Sequence, residues 1–516
     1  MPTAPALSKE TKIAIGIILG ALVVRIAFAA ILDFTADETY DVIMARQPAL
    51  GYADHPPLAM WLIAAIRLIA GAENPLLVRL PTLLLFVGTS WFIYLLASLL
   101  FSRRAGLYAV ILLTLSPLFA ALGTLALTDG PTFFATVASA YFLARAVNAP
   151  PDDPAWRDWL LAGAFFGLSL LSKYITVLLL PGLLIFLLSV PSQRRWFLRP
   201  SPYAALALAL LLAMPMVLWN AENGWVSFTF QGRRAALEAF HPERLGLLLG
   251  GLFLALLPPV FVALVAGLVD GFRRGPSDQG RWLLVWLASG PILLFAVIWL
   301  FGPDARRGFH WFAPGLILLF PLAGALLADL SDRRLLWLRD WSIVVWSAVF
   351  AIVVAIYASH ALTGWITNLV PSYRTYDDLL ADQTDWHSLR TTLAERNMLD
   401  PDRYFIAVAR WDFCYRVEYV IKGDLPVVCL SDNSTGFGPP TRLNTLVGKD
   451  AIFIRNWSQL SEERTNEFVA QFAGREPDDT IAIRRMGRPV MMLDVAVLRG
   501  LQQPLLARSF GTPAVR

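Results

Sequence analysis

The residues best suited to chemistry begin in a short acidic segment, Asp33-Phe-Thr-Ala-Asp37-Glu38-Thr-Tyr40-Asp41, followed by Gly51-Tyr52-Ala-Asp54-His55-Pro56-Pro57. Carboxylates such as Asp37 and Glu38 can take a proton from an attacking hydroxyl. Tyr40, Asp54 and His55 add polar groups that a substrate would meet. A further acid, Asp129, stands in Leu127-Thr128-Asp129-Gly130-Pro131. There it serves as an ordinary helix cap followed by a first-turn proline, as a second catalytic carboxylate, or as both.

Lys173, in Leu171-Ser172-Lys173-Tyr174, interrupts an almost wholly apolar stretch from Trp159 to Val190. A cation at that depth is costly unless it snorkels to the interface or meets an anion, so a partner is expected. Two further segments mix arginine with aromatic rings. One runs from Asn220-Ala-Glu222-Asn223-Gly224-Trp225 to Gln231-Gly232-Arg233-Arg234, and the other is Asp304-Ala-Arg306-Arg307-Gly-Phe309-His310-Trp311-Phe312-Ala-Pro314. Singly, each matches the usual aromatic and basic belt of a membrane interface. Together, the acids, the lysine at lipid depth and the arginines describe the needs of glycosyl transfer from a lipid phosphate. Such a reaction uses a base for the incoming hydroxyl, fixed cations for the charge gathering on the departing phosphate and guanidinium forks for its oxygens.

Membrane helices must position these groups. Of 516 residues, 57% are hydrophobic and 16% charged, with a mean hydropathy of +0.57, whereas soluble domains carry about 25% charged residues. A soluble cytosolic enzyme is excluded. We expect about eleven transmembrane helices, at 12–32, 76–100, 105–123, 131–148, 158–172, 174–190, 201–219, 245–269, 282–301, 309–328 and 341–362. The first follows Lys9 and Lys12 and reads as a retained helix rather than a signal peptide. Leu58 to Ala70 is too short to span and reads as a helix at the interface. Basic residues concentrate on alternate connections, which places the N-terminus inside the cell and the acidic loops outside. With 43 Lys and Arg against 39 Asp and Glu, the net charge of +4 gives no case for nucleic acid.

Residues 363–516 are more polar. Short apolar runs at Tyr404–Ala409, Pro426–Leu430, Ala451–Ile454 and Val490–Leu498 read as buried strands. Helical segments are expected around Asp385–Arg396, Phe413–Ile421 and Glu462–Phe472. That alternation indicates a small α/β domain, so the chain divides into a membrane domain, 1–362, and an extracytoplasmic domain, 363–516. Cys414 and Cys429 are either a disulfide, which that compartment permits, or two buried thiols.

Over about residues 10–330 the sequence resembles the GT-C glycosyltransferases, in the bacterial branch related to protein O-mannosyltransferases and to the aminoarabinose transferase that modifies lipid A (glycosyltransferase family 39/83 type). The resemblance rests on ordered signatures: Asp37-Glu38, Asp54-His55-Pro56-Pro57, Thr128-Asp129 with Pro131, Leu171-Ser172-Lys173-Tyr174, Asn220 to Trp225 with Gln231, and His310-Trp311 with Pro314. It implies a polytopic α-helical membrane protein of GT-C type in the bacterial inner membrane. It also implies an inverting transfer, on the periplasmic side, from a polyprenyl-phosphate-linked sugar donor to an envelope lipid, glycan or protein. Asp37 would be the main catalytic carboxylate, Asp129 its assistant, and Lys173 the holder of the donor phosphate. The lipid A enzyme has lysine before its double proline, so His55 is a departure. A neutral imidazole binds phosphate less well, and donor contacts would then be shared with Arg233, Arg234, Arg306 or Arg307. No cofactor is implied, although Asp54 with His55 or His241 would suit a divalent metal. The competing reading is a transporter or lipid flippase whose intramembrane charges line a pathway.

Overall fold

A computed structural model describes residues 7–302, 308–330, 333–369, 384, 386–431, 443–456, 460–485 and 488–505. The helices, in chain order, are α1 (Lys9–Ile31), α2 (Ala36–Ala45), α3 (Leu58–Ala70), α4 (Pro75–Leu100), α5 (Arg103–Thr114), α6 (Pro117–Leu122), α7 (Asp129–Val147), α8 (Trp156–Leu170), α9 (Leu179–Ser189), α10 (Pro200–Glu222) and α11 (Val226–Arg234). They continue as α12 (Glu243–Leu256), α13 (Pro258–Arg274), α14 (Gln279–Phe301), α15 (Ala313–Leu316), α16 (Phe320–Asp329), α17 (Arg333–Thr363) and α18 (Trp365–Leu369).

Six helices among the described residues are long and apolar enough to cross a membrane: α1, α4, α10, α14, Phe309–Asp329 and α17. Two sharply bent pairs, Tyr174–Ser189 with Pro191–Leu198 and Glu243–Leu256 with Pro258–Ser277, raise the number to as many as eight. The protein is therefore a polytopic membrane protein, but the eleven continuous spans expected from apolarity are not all present. The segment 105–123 is split ahead of Pro117 into α5 and α6. The segment 158–172 is the 15-residue α8, shorter than the roughly 20 residues of a full crossing. The segment 131–148 is the 19-residue α7, which carries Asp129, Thr132, Thr136, Ser139 and Arg145. The segment 245–269, expected as one helix, turns by 112° between α12 and α13. The cause is Pro258-Pro259, which withhold two backbone N–H donors and push the preceding residue out of the helical region; Leu257 sits at φ 68°.

The described chain forms two compact units. The first comprises the chain up to Ala30, Ala49–Leu62 and Leu76–Val353. Small residues set its helix contacts: a Cβ on Gly163 of α8 would lie 2.2 Å from the Ala205 carbonyl oxygen of α10, and one on Gly167 would lie 2.9 Å from that of Ala209. Gly163 and Gly167 are one turn apart, the small-xxx-small pattern that lets membrane helices approach closely where lipid gives no hydrophobic drive.

The second unit comprises Ile31–Pro48, Ile63–Pro75 and the chain from Val354 onward. Its helices are α19 (His387–Glu395), α20 (Trp411–Ile421) and α21 (Glu462–Val469). Its strands are β1 (Tyr404–Val408), β2 (Val427–Cys429), β3 (Asp450–Ile454), β4 (Phe472–Arg475), β5 (Asp479–Arg485) and β6 (Arg488–Leu501). The sheet order is β2-β1-β3-β6-β4, with β5 also paired to β6. The pairs β1–β2 and β1–β3 are parallel and β6 is antiparallel to its neighbours. The expected α/β domain is present with four of its strands near their expected places; β4 and β5 are additional. Cys414 of α20 and Cys429 of β2 form a disulfide, with a Cα separation of 5.6 Å.

Candidate active site

In the first unit, motifs spread over 180 residues of sequence are fastened together by hydrogen bonds. The segment 51–57 is held from several sides. The Trp219 ring packs where a Cβ on Gly51 would stand, 2.8 Å away. Ser227 Oγ donates to the Tyr52 carbonyl at 2.8 Å and Gln231 Nε2 to the Asp54 carbonyl at 2.6 Å. Asn220 Oδ1 accepts from the Ser227 amide at 3.2 Å, and its Nδ2 donates to the Tyr174 hydroxyl at 3.5 Å. At the other end of the segment, the Leu58 amide donates to the Leu171 carbonyl at 3.0 Å, which ties α3 to the turn that carries Lys173. The signatures around Asp54, Lys173, Asn220 and Gln231 thus occupy one place.

The partner required by the depth of Lys173 is Asp129. Lys173 Nζ lies 2.6 Å from Asp129 Oδ1, with the two side chains 14% and 3% exposed. Asp129 is the first residue of α7, and the cap position falls on Thr128, whose side chain makes no capping bond. The capping reading of Asp129 is thereby replaced by an ion pair. An ammonium has three donors, so one bond to Asp129 orients Lys173 and leaves two for an anion. His55 Nε2 stands 3.6 Å from Asp54 Oδ2. Arg233 is exposed on α11, two residues beyond Gln231, and Arg234 ends that helix. His310 belongs to a single turn, Phe309–Phe312, with its ring 6.2 Å from that of Trp311. Arg306 and Arg307 lie outside the described residues.

In the second unit, α2 carries Asp37, Glu38 and Tyr40. Thr35 caps the helix: its Oγ1 accepts from the Glu38 amide at 3.2 Å, and Glu38 Oε2 accepts from the Thr35 amide at 2.9 Å. This capping box fixes the first turn and engages the Glu38 carboxylate in structure. Asp37 is the second residue of α2, where the helix dipole favours a negative charge, and it alone among Ala36–Ala45 is exposed. Tyr40 is buried, its ring edge-on to Tyr415 with centroids 4.9 Å apart. The Thr35-x-x-Glu38 spacing was readable as a capping box from sequence; Tyr415, Tyr419, Arg46 and Glu73, which flank α2, carried no local signal. Burial pushes the Tyr419 hydroxyl up to about 12, with the nearby charges of Asp33 and Glu73 adding to it. Burial also raises the Glu418 carboxyl, opposed by Arg46.

Among the described residues no group of three or more His, Cys, Asp or Glu side chains is placed to hold a metal ion. His241 instead faces Glu243, Nδ1 to Oε1 at 2.9 Å.

Residues 54–219 match the dolichyl-phosphate-mannose-protein mannosyltransferase family, a segment that contains Asp54, His55, Asp129 and Lys173. The lipid A galacturonosyltransferase RgtD of Rhizobium johnstonii is 27% identical over 51% of this chain and 55% of its own length. The lipopolysaccharide core galacturonosyltransferase RgtB of the same organism is 27% identical over 57% of this chain and 60% of its own length. The chain thus spans little more than half the length of the curated relatives it matches. The crystal structure of ArnT from Cupriavidus metallidurans bound to undecaprenyl phosphate shares the fold, with a TM-score of 0.63, 14% identity, and coverage of 96% of this chain and 100% of that one. By the family match over residues 54–219, the relatives and the common fold, this chain is similar to the GT-C glycosyltransferases.

Proposed function

We propose that this protein transfers a sugar from a polyprenyl-phosphate donor to a lipid or glycan of the cell envelope, at the periplasmic face of the inner membrane. The observation that carries the reading is the gathering of the Asp54-His55, Asp129, Lys173 and Gln231 motifs into one polar cluster within an apolar helical unit. A lipid-linked donor accounts for a phosphate-binding cation at that depth. In the reaction, the acceptor hydroxyl attacks C1 of the donor sugar and the bond from C1 to the phosphate oxygen breaks. The hydroxyl proton passes to Asp37, and polyprenyl phosphate leaves with the bonding electron pair. One displacement inverts the configuration at C1. Lys173, oriented by Asp129, meets the phosphate oxygens, with His55, Arg233 and Arg234 as further cationic or donor groups.

The names of the relatives favour galacturonic acid as the sugar, and lipid A or the lipopolysaccharide core as the acceptor. Arginine suits the planar carboxylate of such a sugar as well as its phosphate. Mass spectrometry of envelope lipids from a strain lacking the gene tests this reading. One hexuronic acid should be missing from a lipid or core species and return on complementation. An unchanged envelope, with the gene expressed in the parent, would overturn it.

A further inference from the structure

The second unit packs α20 of the sheet domain directly against α2, the helix that presents Asp37. Tyr415 meets Tyr40 edge-on at 4.9 Å, and Tyr419 meets Phe34, just ahead of the α2 cap, at 5.3 Å and 90°. The far end of α2 is held as well. Arg46 caps it and forks onto Glu73, with Nε to Oε1 at 3.3 Å and Nη2 to Oε2 at 2.8 Å. The Tyr419 hydroxyl donates to the Glu73 carbonyl at 3.0 Å, and the Arg46 guanidinium lies 5.9 Å from the Tyr419 ring. Arg67 adds a second cation to Glu73 at 2.6 Å. The helix doing the holding is itself pinned, because Cys414, one residue before Tyr415, is joined to Cys429 of β2.

The packing is selective. Seven of the ten residues of α2 are buried, Tyr40 at 6% exposure and Val42 and Ala45 at 0%, while Tyr415 is fully buried. Asp37 stays exposed. Edge-on aromatic pairs hold ring geometry more tightly than aliphatic contacts of equal area, and a carboxylate acting as base must be held close to its working position, since a shift of about 1 Å can cost about 10²-fold in rate.

We infer that Tyr415 and Tyr419 are positioning residues for Asp37, so that the C-terminal domain acts in catalysis by fixing the orientation of α2. The inference rests on Asp37 being the base of the proposed transfer.

The test uses the full chain in nanodiscs with a polyprenyl-phosphate-linked uronic acid donor and a lipid A acceptor. Tyr415→Leu, which removes the ring, should lower kcat by about 10²-fold and leave the donor KM within about twofold, as expected for an interaction realised in the transition state. Tyr415→Phe, which keeps the ring, should retain kcat. In an Asp37→Asn background, Tyr415→Leu should lower the residual rate no further, the coupling expected of a residue that acts through Asp37. A Tyr415→Leu protein with normal kcat, while Asp37→Asn is slowed to a small residual rate, would overturn the positioning role and leave the proposed transfer standing. A loss confined to donor KM or to the yield of folded protein would also overturn it. Full activity in Asp37→Asn would instead remove the underlying mechanism.

Discussion

Removing Lys173 should destabilise the first unit, and removing its partner as well should restore much of the loss. Lys173→Met leaves the Asp129 carboxylate, only 3% exposed, without its cation. Two unit charges about 4 Å apart attract by about 4 kcal/mol at an effective dielectric near 20. Truncating one member of a buried pair costs about 3–5 kcal/mol, because the other charge stays buried. Asp129→Asn should cost less than Lys173→Met, since the lysine, 14% exposed, has a long stem that can carry its ammonium toward water. The double variant Asp129→Asn, Lys173→Met buries no net charge and should approach the wild type. Thermal melts in detergent, followed by tryptophan fluorescence, read the order directly: wild type, then the double variant, then Asp129→Asn, then Lys173→Met. A double variant melting at or below Lys173→Met would refute the reasoning, because it would mean that the two side chains contribute independently.

Gly163→Ala should destabilise the protein by about 1–3 kcal/mol through overpacking, since its Cβ would meet the Ala205 carbonyl oxygen at 2.2 Å, whereas Gly246→Ala, with nothing within 4 Å, should melt as wild type does. Removing the disulfide by Cys414→Ala with Cys429→Ala opens a loop with a sequence separation of 15 and should cost the second unit about 3 kcal/mol, seen as faster proteolysis within 404–430. Glu418→Gln should stabilise that unit at neutral pH and leave its stability near pH 4 unchanged. Burial raises the Glu418 carboxyl in the folded protein above its unfolded value of about 4.3, so stability falls as pH rises from that value through the folded one. Hydrogen exchange over 411–421 as a function of pH reads the change.

Apolarity located the membrane segments but not their breaks. The run 245–269 scores as one span because Pro258 and Pro259 are only two residues within an apolar stretch, yet they remove the backbone donors on which a continuous helix depends. The strands β1, β2, β3 and β6 were legible as apolar runs. Strands β4 and β5 were not, because Phe472–Arg475 is only four residues long with Ala and Gly at its centre, and Asp479–Arg485 begins and ends in polar residues. At the candidate site, the need of Lys173 for a counter-charge followed from the cost of a cation in hydrocarbon, whereas the identity of that charge, Asp129, 44 residues earlier, required the fold. The association of α2 with α20 was hidden for the same reason. Tyr40 and Tyr415 look like ordinary aromatic residues until tertiary structure brings them together.

The most direct test of the central claim is sugar transfer by the purified protein in nanodiscs, with a radiolabelled polyprenyl-phosphate-linked galacturonic acid and a lipid A acceptor. The wild type should form the glycosidic bond with inverted configuration, and Asp37→Asn should bind the donor but transfer its sugar only at a small residual rate. Transfer by Asp37→Asn at the wild-type rate, or movement of the labelled donor between leaflets by the wild type with no bond made, would contradict the account.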